Sequence, residues 1–468
     1  MSTADIPART GERPPPAAAP WRPGVQSIAA AVIGVAALTL GVIGSRPDVA
    51  VLGLPFVLGF AWAWFTRPTT TSRQALRQAT GRRGSGTDAA SDGLIGTVSA
   101  DLVLDPAPGA EVLRVRVSSA GHREGQALID VGGPGPRTVR MHLDTARTGV
   151  QPMFRTDLVW SSYDQTMVAG PSRLGPLRVT VYPTAIPLRR LPMPRRLQGL
   201  TGPHTSRRVG DGTDLHDVNL FTPGDRLRRI DWRVTARRSL DVTTGRLGEL
   251  YVRRTFATAD ATIVLVVDSR DNVGPDVDTW GGGKEARVDE PTSLDLAREA
   301  ATSLAKRYID GGDRVGLDDL GLRRRPVAPA GGRKQLDRIT QRLATIAPEG
   351  SPTARERAPQ VPSSALVVIF STFLDDEAAR MAHQWHAQAH RVIAVDVLPQ
   401  VRVHHLDSYQ QTAYALVRLE RGIRLERLRR TGVEVVHWVG DPDGHGSSTS
   451  ADIDLLVLSR PGHRVRTR

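Results

Sequence analysis

Two uncharged apolar runs near the N-terminus most constrain what this chain can fold into. They are Val25–Gly44 and Val49–Phe65, separated by a short polar break. The first run is long enough for a helix to cross a bilayer, which takes about 20 residues. The second run ends in Trp62, Trp64 and Phe65, and aromatic residues of this kind are typical of the membrane interface. We therefore predict a transmembrane helical hairpin over residues 25–65.

A signal peptide is the alternative interpretation of the first run. The run exceeds a usual signal-peptide core, no A-x-A site ends it, and a second apolar run follows at once. Arginines flank both outer ends of the hairpin, whereas the connecting loop holds only Arg46, which Asp48 offsets. The positive-inside rule then predicts a multi-pass protein of the cell membrane, with both termini and all soluble domains in the cytoplasm.

Composition divides the neighbouring segments. Residues 1–24 are rich in Pro and Ala and are predicted to be a disordered cytoplasmic tail. Residues 66–92 are rich in Thr, Ser, Gly and Arg, as expected of a linker. Over residues 93–187, short alternating runs such as Glu111–Val117 are separated by Gly, Pro and Asp, which predicts a small β-sandwich. Nothing in this domain has a catalytic pattern, so we assign it a structural or partner-binding role.

From residue 257 to residue 468 the pattern changes to alternating strands and helices. Thr262–Val267 is a continuous apolar run, typical of a strand buried on both faces, and Ala365–Phe370 is a second one. Amphipathic helical patterns separate the strands, for example at Ser293–Ile309. This alternation predicts a doubly wound α/β domain with a parallel sheet covered on both faces.

Residues 188–256 are predicted to form an extended arm, and the most unusual stretch of the chain lies in it. Pro223–Arg237 reads PGDRLRRIDWRVTAR, a Pro-Gly turn followed by closely spaced arginines, aspartates and one tryptophan. The plain interpretation is a solvated basic segment. The stretch also resembles the GDxxRxIDWxxxAR core of the DUF58 family. The matching positions are Gly224, Asp225, Arg228, Arg229, Ile230, Asp231, Trp232, Arg233, Thr235, Ala236 and Arg237.

The resemblance carries several implications. DUF58 proteins are usually described with a von Willebrand factor A-like C-terminal half and a functional partnership with a MoxR-type AAA+ ATPase. The signature residues are then expected to make an ion-pair network that docks the arm on the α/β domain, with Trp232 buried as its anchor. The docking residues are Gly224, Asp225, Arg228, Arg229, Asp231, Trp232, Arg233 and Arg237. Relatives usually carry an arginine and a tyrosine shortly before the turn, where this chain has Asn219 and Phe221.

Von Willebrand A domains often hold Mg²⁺ through a DxSxS loop, and Asp268 stands at the first position of the corresponding loop here. Arg270 and Asn272 take the positions of the two serines, and Ser371-Thr372 stands where an acidic ligand is often found. A guanidinium opposes a bound cation by charge. We therefore expect Asp268 to be ion-paired, with Arg270 or with an arginine of the signature, and retain it as the candidate metal ligand of an alternative hypothesis.

Other chemistries have little support. The chain has no cysteine, which excludes disulfides, cysteine zinc sites and thiol nucleophiles. The spacing of His383, His386 and His390 places them on one face of a predicted helix, where the three could bind a metal ion. No Cys or Glu is placed to complete such a ligand set, and an exposed polar face is the ordinary interpretation. No phosphate-binding loop or dinucleotide fingerprint is present. The net charge of +13 is compatible with nucleic acid, anionic lipid or acidic protein, but aromatics are few and no RNA-binding motif occurs, so nucleic acid is not expected.

Two hypotheses for function follow. The first is a non-enzymatic, membrane-anchored scaffold or chaperone-like adaptor that acts with a MoxR-type AAA+ ATPase on a client protein and needs no cofactor. The second is a Mg²⁺-dependent protein-binding module, in which a degenerate metal-ion-dependent adhesion site at Asp268 captures an acidic residue of a partner. A hydrolase or a nucleic-acid protein is a third class, for which no constellation of residues is evident.

Overall fold

The computed structural model describes residues 19–79, 96–133, 135–162, 164–197, 202–239, 248–280, 286–321, 324–348, 355–403, 406–438 and 450–459. The chain divides into two compact units. Unit 1 comprises Met1–Ser91, Thr97–Thr145 and Val150–Thr180, and unit 2 comprises Asp92–Gly96, Ala146–Gly149 and Val181–Arg468.

In the first part of the chain, the described residues form two helices and ten strands. The helices are α1 (Val25–Ile43) and α2 (Pro47–Phe65). The strands are β1 (Trp21–Pro23), β2 (Arg73–Gln78), β3 (Gly96–Asp105), β4 (Val112–Ser118), β5 (Gly125–Asp130), β6 (Arg137–Thr145), β7 (Gly149–Met153), β8 (Arg155–Ser161), β9 (Met167–Leu174) and β10 (Leu177–Val181).

Helices α1 and α2 form the expected hairpin, and glycines bring them into close contact. A methyl group at Gly53 would lie 2.4 Å from the carbonyl oxygen of Gly34, and one at Gly41 would lie 2.4 Å from the amide nitrogen of Ala50. Small residues at such a crossing let two backbones approach closely, as in membrane helix pairs. Mean hydropathy reaches 2.0 in α1 and 1.7 in α2, so both helices are long and apolar enough to cross a membrane. The pair is consistent with membrane anchoring.

The strands of unit 1 form a β-sandwich. One sheet has the order β1-β9-β8-β4-β5 and a second has the order β2-β3-β6, while β10 and β7 make a separate pair. Side chains from both larger sheets share one core, including Leu104 of β3, Leu113 of β4 and Leu158 of β8. The indole nitrogen of Trp160 donates to Gln74 Oε1 at 2.8 Å, which ties β8 to β2. The two sheets therefore pack face to face.

Two strands of the sandwich come from segments expected to be tail and linker. Trp21–Pro23 pairs with β9, and Arg73–Gln78 pairs with β3 along its whole length. Their polar, Pro- and Arg-rich composition does not indicate strands, because an edge strand with one face in solvent needs few apolar residues. Most of the predicted tail, and residues 80–92 of the predicted linker, lie outside the described residues.

The described residues of the second part of the chain form six helices and eight strands. The helices are α3 (Trp232–Ser239), α4 (Ser293–Asp310), α5 (Arg333–Thr345), α6 (Glu377–Ala387), α7 (Ser408–Arg430) and α8 (Ser450–Leu458), with short 3-10 helices at Leu227–Arg229 and Val277–Thr279. The strands are β11 (His204–Leu220), β12 (Tyr251–Ala259), β13 (Thr262–Val267), β14 (Arg314–Asp319), β15 (Val327–Ala330), β16 (Leu366–Ser371), β17 (Arg391–Asp396) and β18 (Glu434–His437).

Six of these strands form one sheet in the order β15-β14-β13-β16-β17-β18. Every neighbouring pair is parallel except β14 and β15. The side chains of β13 alternate between two cores: Ile263 packs in a cluster with α4, α5 and α8, whereas Val264 packs in a cluster with α6 and α7. The predicted doubly wound α/β arrangement is thus present, with its strand order reversing between β13 and β16.

The predicted extended arm is only partly extended. Leu188 is buried in the α4 cluster, and Tyr308 Oη donates to the carbonyl oxygen of Pro192 at 2.6 Å, so this segment packs against the α/β core. The rest of the arm folds back on itself, because β11 pairs antiparallel with β12 through three register shifts. The signature lies between these two strands and therefore belongs to a hairpin connection.

Candidate functional site

The inner side of the signature is fastened to β12. Asp231 Oδ1 accepts the amide protons of Arg233 and Val234, each at 3.1 Å, and so caps the first turn of α3. The amide of Asp231 donates to the carbonyl oxygen of Tyr251 at 2.9 Å, and the amide of Tyr251 donates to Thr235 Oγ1 at 3.0 Å. Thr235 is fully buried. These contacts hold α3 in one place against the strand.

A second carboxylate holds the Pro-Gly turn. Asp225 Oδ2 accepts from the amide of Thr222 at 2.9 Å and from its hydroxyl at 2.8 Å, and the guanidinium of Arg254 lies 3.4 Å away. The bonds from Thr222, with the charge of Arg254, lower the pKa of Asp225. Gly224 has a φ of +109°, which side chains of L-residues rarely adopt. The sequence therefore needs Gly and Asp here to shape the turn.

The ion pairs of the signature stay within its own hairpin. Arg229 donates to the carbonyl oxygen of Gly210 at 3.0 Å and is ion-paired with Asp211. Arg226 lies 3.2 Å from the same carboxylate. The expected ion-pair network is thus present in part, but these ion pairs join the turn to β11 and β12, where the sequence predicted docking on the α/β domain.

The prediction that Trp232 is a buried anchor is wrong. Its side chain is 61% exposed, and Leu227, five residues earlier, is 69% exposed. The inward position of α3 is taken by Thr235, whose small side chain bonds the backbone of β12, so the indole lies on the solvent side. Three signature arginines are exposed with it. We call this surface the signature face: Leu227, Arg228, Trp232, Arg233 and Arg237.

The other candidate lies at the carboxyl edge of the six-stranded sheet, where β13 and β16 end. Ligands of doubly wound folds gather at this edge. Asp268 follows β13 and is almost fully buried. Its two carboxylate oxygens accept from Arg270 Nε and Nη2, both at 2.8 Å, and Ser371 Oγ donates to Oδ2 at 2.7 Å. The ion pair expected between Asp268 and Arg270 is confirmed.

Arg270 is the centre of this cluster. Its side chain is only 7% exposed, and beyond Asp268 it binds Asp375 through Nη1 at 2.6 Å and Glu377 through Nη1 at 3.0 Å. Burial alone would lower the pKa of Arg270, but the hydrogen bonds and charges of Asp268 and Asp375 raise it. The guanidinium is therefore permanently charged.

These residues do not fit a divalent cation. A hard cation needs several oxygen ligands that converge on open space, whereas both oxygens of Asp268 already bind a buried guanidinium. Within the described ranges, no group of three or more His, Cys, Asp or Glu side chains is arranged to hold a metal ion.

Two further carboxyls lie near the cluster, those of half-buried Asp271 and buried Asp319. Burial raises the pKa of Asp271, and the charges of Asp268 and Asp375 raise it further. Burial also raises the pKa of Asp319, although Ser269 Oγ donates to its Oδ1 at 2.6 Å. Its other oxygen, Oδ2, is buried and makes no hydrogen bond within the described residues. The edge is thus rich in acidic groups that Arg270 only partly neutralises.

The three histidines do not share one helical face. Helix α6 ends at Ala387, and Ala389 has a φ of +67°, so the chain leaves the helix before His390. His390 Nδ1 lies 3.2 Å from the carbonyl oxygen of Ala365, in the core. His383 Nδ1 lies 3.0 Å from Thr431 Oγ1, and His386 lies beside Arg195. Each histidine has its own neighbour, and the metal alternative raised for them is contradicted.

Sequence reasoning missed Glu377, Arg421 and His437 as members of this edge. Arg421 is ion-paired with Asp396 at the end of β17, and His437 Nδ1 lies 2.7 Å from the same carboxylate. Although burial opposes it, His437 and Arg421 lower the pKa of Asp396. The available signal was Asp396 itself, an aspartate that ends a buried strand as Asp268 does, but its partners come from distant parts of the sequence.

Fold and geometry together define a protein with a candidate membrane hairpin, a β-sandwich and a doubly wound α/β domain. Residues 217–404 match the family described as "Protein of unknown function DUF58". This segment belongs to the DUF58 family, and the assignment made from the signature is confirmed.

The similar proteins found are themselves uncharacterized. One from Mycobacterium bovis (strain ATCC BAA-935 / AF2122/97) and one from Mycobacterium tuberculosis (strain ATCC 25618 / H37Rv) are each 28% identical over 217 residues, which is 44% of this chain. The match spans 62% of the length of these curated relatives. Among solved structures, a family two carbohydrate esterase from Cellvibrio japonicus is 11% identical, with coverage of 83% of this chain and 96% of that chain. Its TM-score is 0.16, which is too low to indicate a shared fold.

Proposed function

We propose that this chain is a non-enzymatic scaffold or chaperone-like adaptor, anchored in the cell membrane by α1 and α2, that acts with a MoxR-type AAA+ ATPase on a client protein. The observation that carries the proposal is the signature face. Exposed Trp232, Arg233 and Arg237 lie on a short helix that is fastened to a strand, and exposed Arg228 lies in the 3-10 helix just before it. All four lie in the part of the chain that matches the family.

In the signature, one set of residues holds the turn and another is exposed to solvent, and this separation supports a docking role. Asp225, Asp231 and Thr235 hold the turn, so the exposed residues are not needed to shape it. An exposed Trp232 leaves a large apolar surface in water, and Trp and Arg are the residue types enriched at the energetic centres of protein interfaces. The positive charge of the face favours an acidic surface on the partner.

The α/β domain supports the same assignment. Its strand order, with five parallel strands and an antiparallel edge strand, is compatible with a von Willebrand factor A-like domain. Such domains commonly bind proteins through a metal at the carboxyl edge of the sheet. Here Arg270 binds the carboxylates of that edge. We therefore propose that the chain docks its partner through the signature face without a cofactor, and the Mg²⁺-dependent module remains the disfavoured alternative.

The proposed topology is multi-pass, with both termini and the soluble domains in the cytoplasm. The charge distribution around the hairpin supports it, because the connecting loop carries one arginine, Arg46, which is paired with Asp48 at 3.0 Å. A cytoplasmic location is also where an ATP-dependent partner finds its nucleotide.

The experiment is a pull-down of the full-length protein from membranes, with and without ATP, read by mass spectrometry. We expect a AAA+ ATPase to be recovered. Trp232→Ala combined with Arg233→Ala should reduce its recovery by about tenfold or more, because central Trp and Arg residues dominate interface energies. Arg338→Ala, which removes an exposed arginine of α5, is the matched control and should leave recovery unchanged.

Two results would overturn the proposal. One is recovery of no AAA+ ATPase under either condition. The other is equal recovery of the ATPase by the signature-face variant and the control, which would move the docking site elsewhere. Retention of envelope proteins or lipids only in the presence of Mg²⁺ would instead support the metal-dependent module at Asp268.

A further inference from the structure

The start of the helical hairpin is fastened directly to the β-sandwich. Strand β1 pairs with β9 and is followed, after the single residue Gly24, by α1. The amide of Gly24 donates to the carbonyl oxygen of Thr166 at 2.8 Å, and Ser27 Oγ donates to the same oxygen at 2.9 Å. The first turn of α1 therefore lies against the turn between β8 and β9.

The end of the hairpin is fastened to the sandwich in the same way. Pro68 follows α2 and packs against the loop between β3 and β4, where a methyl group at Gly109 would lie 3.1 Å from the proline ring. Ser72 Oγ accepts from the amide of Ala107, in the same loop, at 3.0 Å. Both connections between the hairpin and the sandwich are therefore held by contacts.

The loop and the turn that hold the hairpin are neighbours. The amide of Glu111 donates to the carbonyl oxygen of Ser161 at 3.1 Å, at the point where β4 begins and β8 ends. We call residues 106–110 and 162–166 together the hairpin end of the sandwich. Strand β4 has seven residues and leads away from this end over about 23 Å, at 3.3 Å per residue. The connection between β4 and β5 lies at its far end.

The length of the helices sets the level of the hairpin end relative to a bilayer. Each helix has 19 residues, which is about 28 Å at 1.5 Å per residue and matches a hydrocarbon core of about 30 Å. Gly24 precedes α1 by one residue and Pro68 follows α2 by three. When the helices span the bilayer, the hairpin end is therefore held at the level of the phospholipid headgroups.

Two arginines at this level are suited to phosphate. Arg22 is exposed and lies just before α1, and Arg67 is exposed and lies just after α2, with its guanidinium carbon 4.5 Å from the centre of the Trp64 ring. Among the described residues, neither arginine has a carboxylate partner, whereas Arg46 on the other side of the hairpin is paired with Asp48 at 3.0 Å. A guanidinium that stacks on an indole keeps its N–H edge free, and that edge matches a phosphate group bidentately.

The rest of the hairpin end does not oppose such a contact. Residues 106–110 read PAPGA and carry no charge. Residues 162–166 contain one acidic residue, Asp164, whose Oδ1 accepts from Ser162 Oγ at 2.6 Å and from Thr166 Oγ1 at 2.8 Å. This carboxylate is bound within its own turn, so a headgroup layer meets short uncharged side chains and the two arginines.

We propose that the hairpin end of the β-sandwich rests on the phospholipid headgroup layer, where Arg22 and Arg67 bind lipid phosphate groups. The sandwich is then held against the membrane surface at the same end that holds the two helices. This inference rests on the membrane anchoring that is part of the proposed function. It does not depend on the signature face or on the AAA+ ATPase.

The first test measures which part of the sandwich meets the lipid. Because the chain has no cysteine, single-cysteine variants of the full-length protein take a fluorophore at one known site. Pro108→Cys and Gln165→Cys report the hairpin end, Ala120→Cys reports the far end, and Val35→Cys reports α1. The proteins are placed in phosphatidylcholine vesicles that carry a nitroxide on the headgroup or on the acyl chain. We expect headgroup nitroxides to quench the labels at 108 and 165 strongly and the label at 120 little, and acyl-chain nitroxides to quench the label at 35.

The two labels at the hairpin end make the test independent of one substitution. Quenching at 108 and 165 no stronger than at 120 would overturn the inference even if the label at 35 is quenched, and the membrane anchoring would stand. A label at 35 that acyl-chain nitroxides do not quench would overturn the anchoring and the inference together.

The second test asks whether the arginines recognise lipid phosphate. The full-length protein is melted in a maltoside detergent, which carries no phosphate, with increasing dioleoylphosphatidylcholine. We expect the lipid to raise the melting temperature. Arg22→Gln combined with Arg67→Gln should raise the lipid concentration that gives half the effect by about tenfold, because charge-assisted hydrogen bonds to phosphate are lost. Arg46→Gln, at the opposite end of the hairpin, is the matched control and should respond as the unsubstituted protein does.

Two further additives identify the source of the phosphate. Dioleoylglycerol has the same acyl chains without the phosphate and should stabilise the protein less than the phospholipid does. Inorganic phosphate alone should not reproduce the effect. Equal stabilisation by dioleoylglycerol, full stabilisation by inorganic phosphate, or equal responses of the double variant and Arg46→Gln would each overturn the assignment of these arginines to lipid phosphate.

Discussion

Replacement of Arg270 by methionine tests whether the carboxyl edge of the sheet is held together by its guanidinium. Methionine keeps an unbranched apolar stem and removes the guanidinium with its charge. It leaves three carboxylates without their cation, and they differ in burial: the side chain of Asp268 is 1% exposed and that of Glu377 is 8% exposed, whereas Asp375 is 49% exposed. The two buried carboxylates should therefore bear most of the cost.

The expected cost is about 3–5 kcal/mol, because removal of one partner leaves an uncompensated charge in the interior. Hydrogen–deuterium exchange of β13 and β16 in the full-length protein, in detergent, measures it. A loss of this size corresponds to roughly a hundredfold to a few thousandfold faster exchange of the most protected amides. Arg287→Met is the control: it removes an arginine that is 58% exposed and paired with Asp289, and should leave the exchange of these amides nearly unchanged.

Removal of the unpaired charge should restore part of the loss. Asp268→Asn in the same chain as Arg270→Met should recover stability, because it leaves no uncompensated carboxylate at the position that Arg270 neutralises.

Two results would refute this reasoning. They are an Arg270→Met variant as stable as Arg287→Met, and a double variant no more stable than Arg270→Met alone. Titration with Mg²⁺ distinguishes the metal alternative. Binding to the unsubstituted protein that disappears in Asp268→Ala would show that the edge takes a cation despite its arginine.

Other predictions follow from single contacts. Trp232→Ala should change the stability of the full-length protein by less than about 1 kcal/mol, because the side chain is exposed, whereas Thr235→Ala should cost about 1–3 kcal/mol, since it leaves a buried amide unpaired; thermal melting compares them. Gly53→Leu should lower the melting temperature in detergent by forcing α1 and α2 apart, while Gly59→Leu, which points into open space, should not; equal melting would contradict the close crossing. Burial raises the pKa of Asp319, so this carboxyl destabilises the fold as the pH rises through that pKa. The stability of Asp319→Asn relative to the unsubstituted protein should therefore increase from about pH 4 to pH 7. Urea midpoints measure it, and a difference in midpoints that does not change with pH would contradict the prediction.

Much of the architecture was accessible to sequence reasoning because it depends on local patterns. The limits of β13 were predicted to the residue, as Thr262–Val267, since a strand buried on both faces must be apolar throughout. The apolar runs of α1 and α2 were equally clear. Strands β1 and β2 were missed, because edge strands need no continuous apolar run and their composition is that of a tail and a linker.

The candidate site divides in the same way. The pairing of Asp268 with Arg270 was predicted because the two residues are neighbours in one loop, and opposite charges that close must interact. Glu377 and Arg421 join the edge from α6 and α7, and no local pattern indicates that these helices deliver their side chains to the ends of β13 and β17.

The sequence by itself determined the membrane-length hairpin, the parallel α/β domain and the family to which the signature belongs, because periodicity and motif spacing are properties of short segments. Only the tertiary structure decided which side of each segment is buried. Trp232 has the composition of an anchor but lies in solvent, since β12 contacts α3 through Thr235. Leu416, Leu419 and Ile423 of α7 are apolar enough for a core face but are exposed, since contacts on the other side of the helix already attach it. Burial depends on which elements pack against each face of a segment, and that is a property of the whole fold.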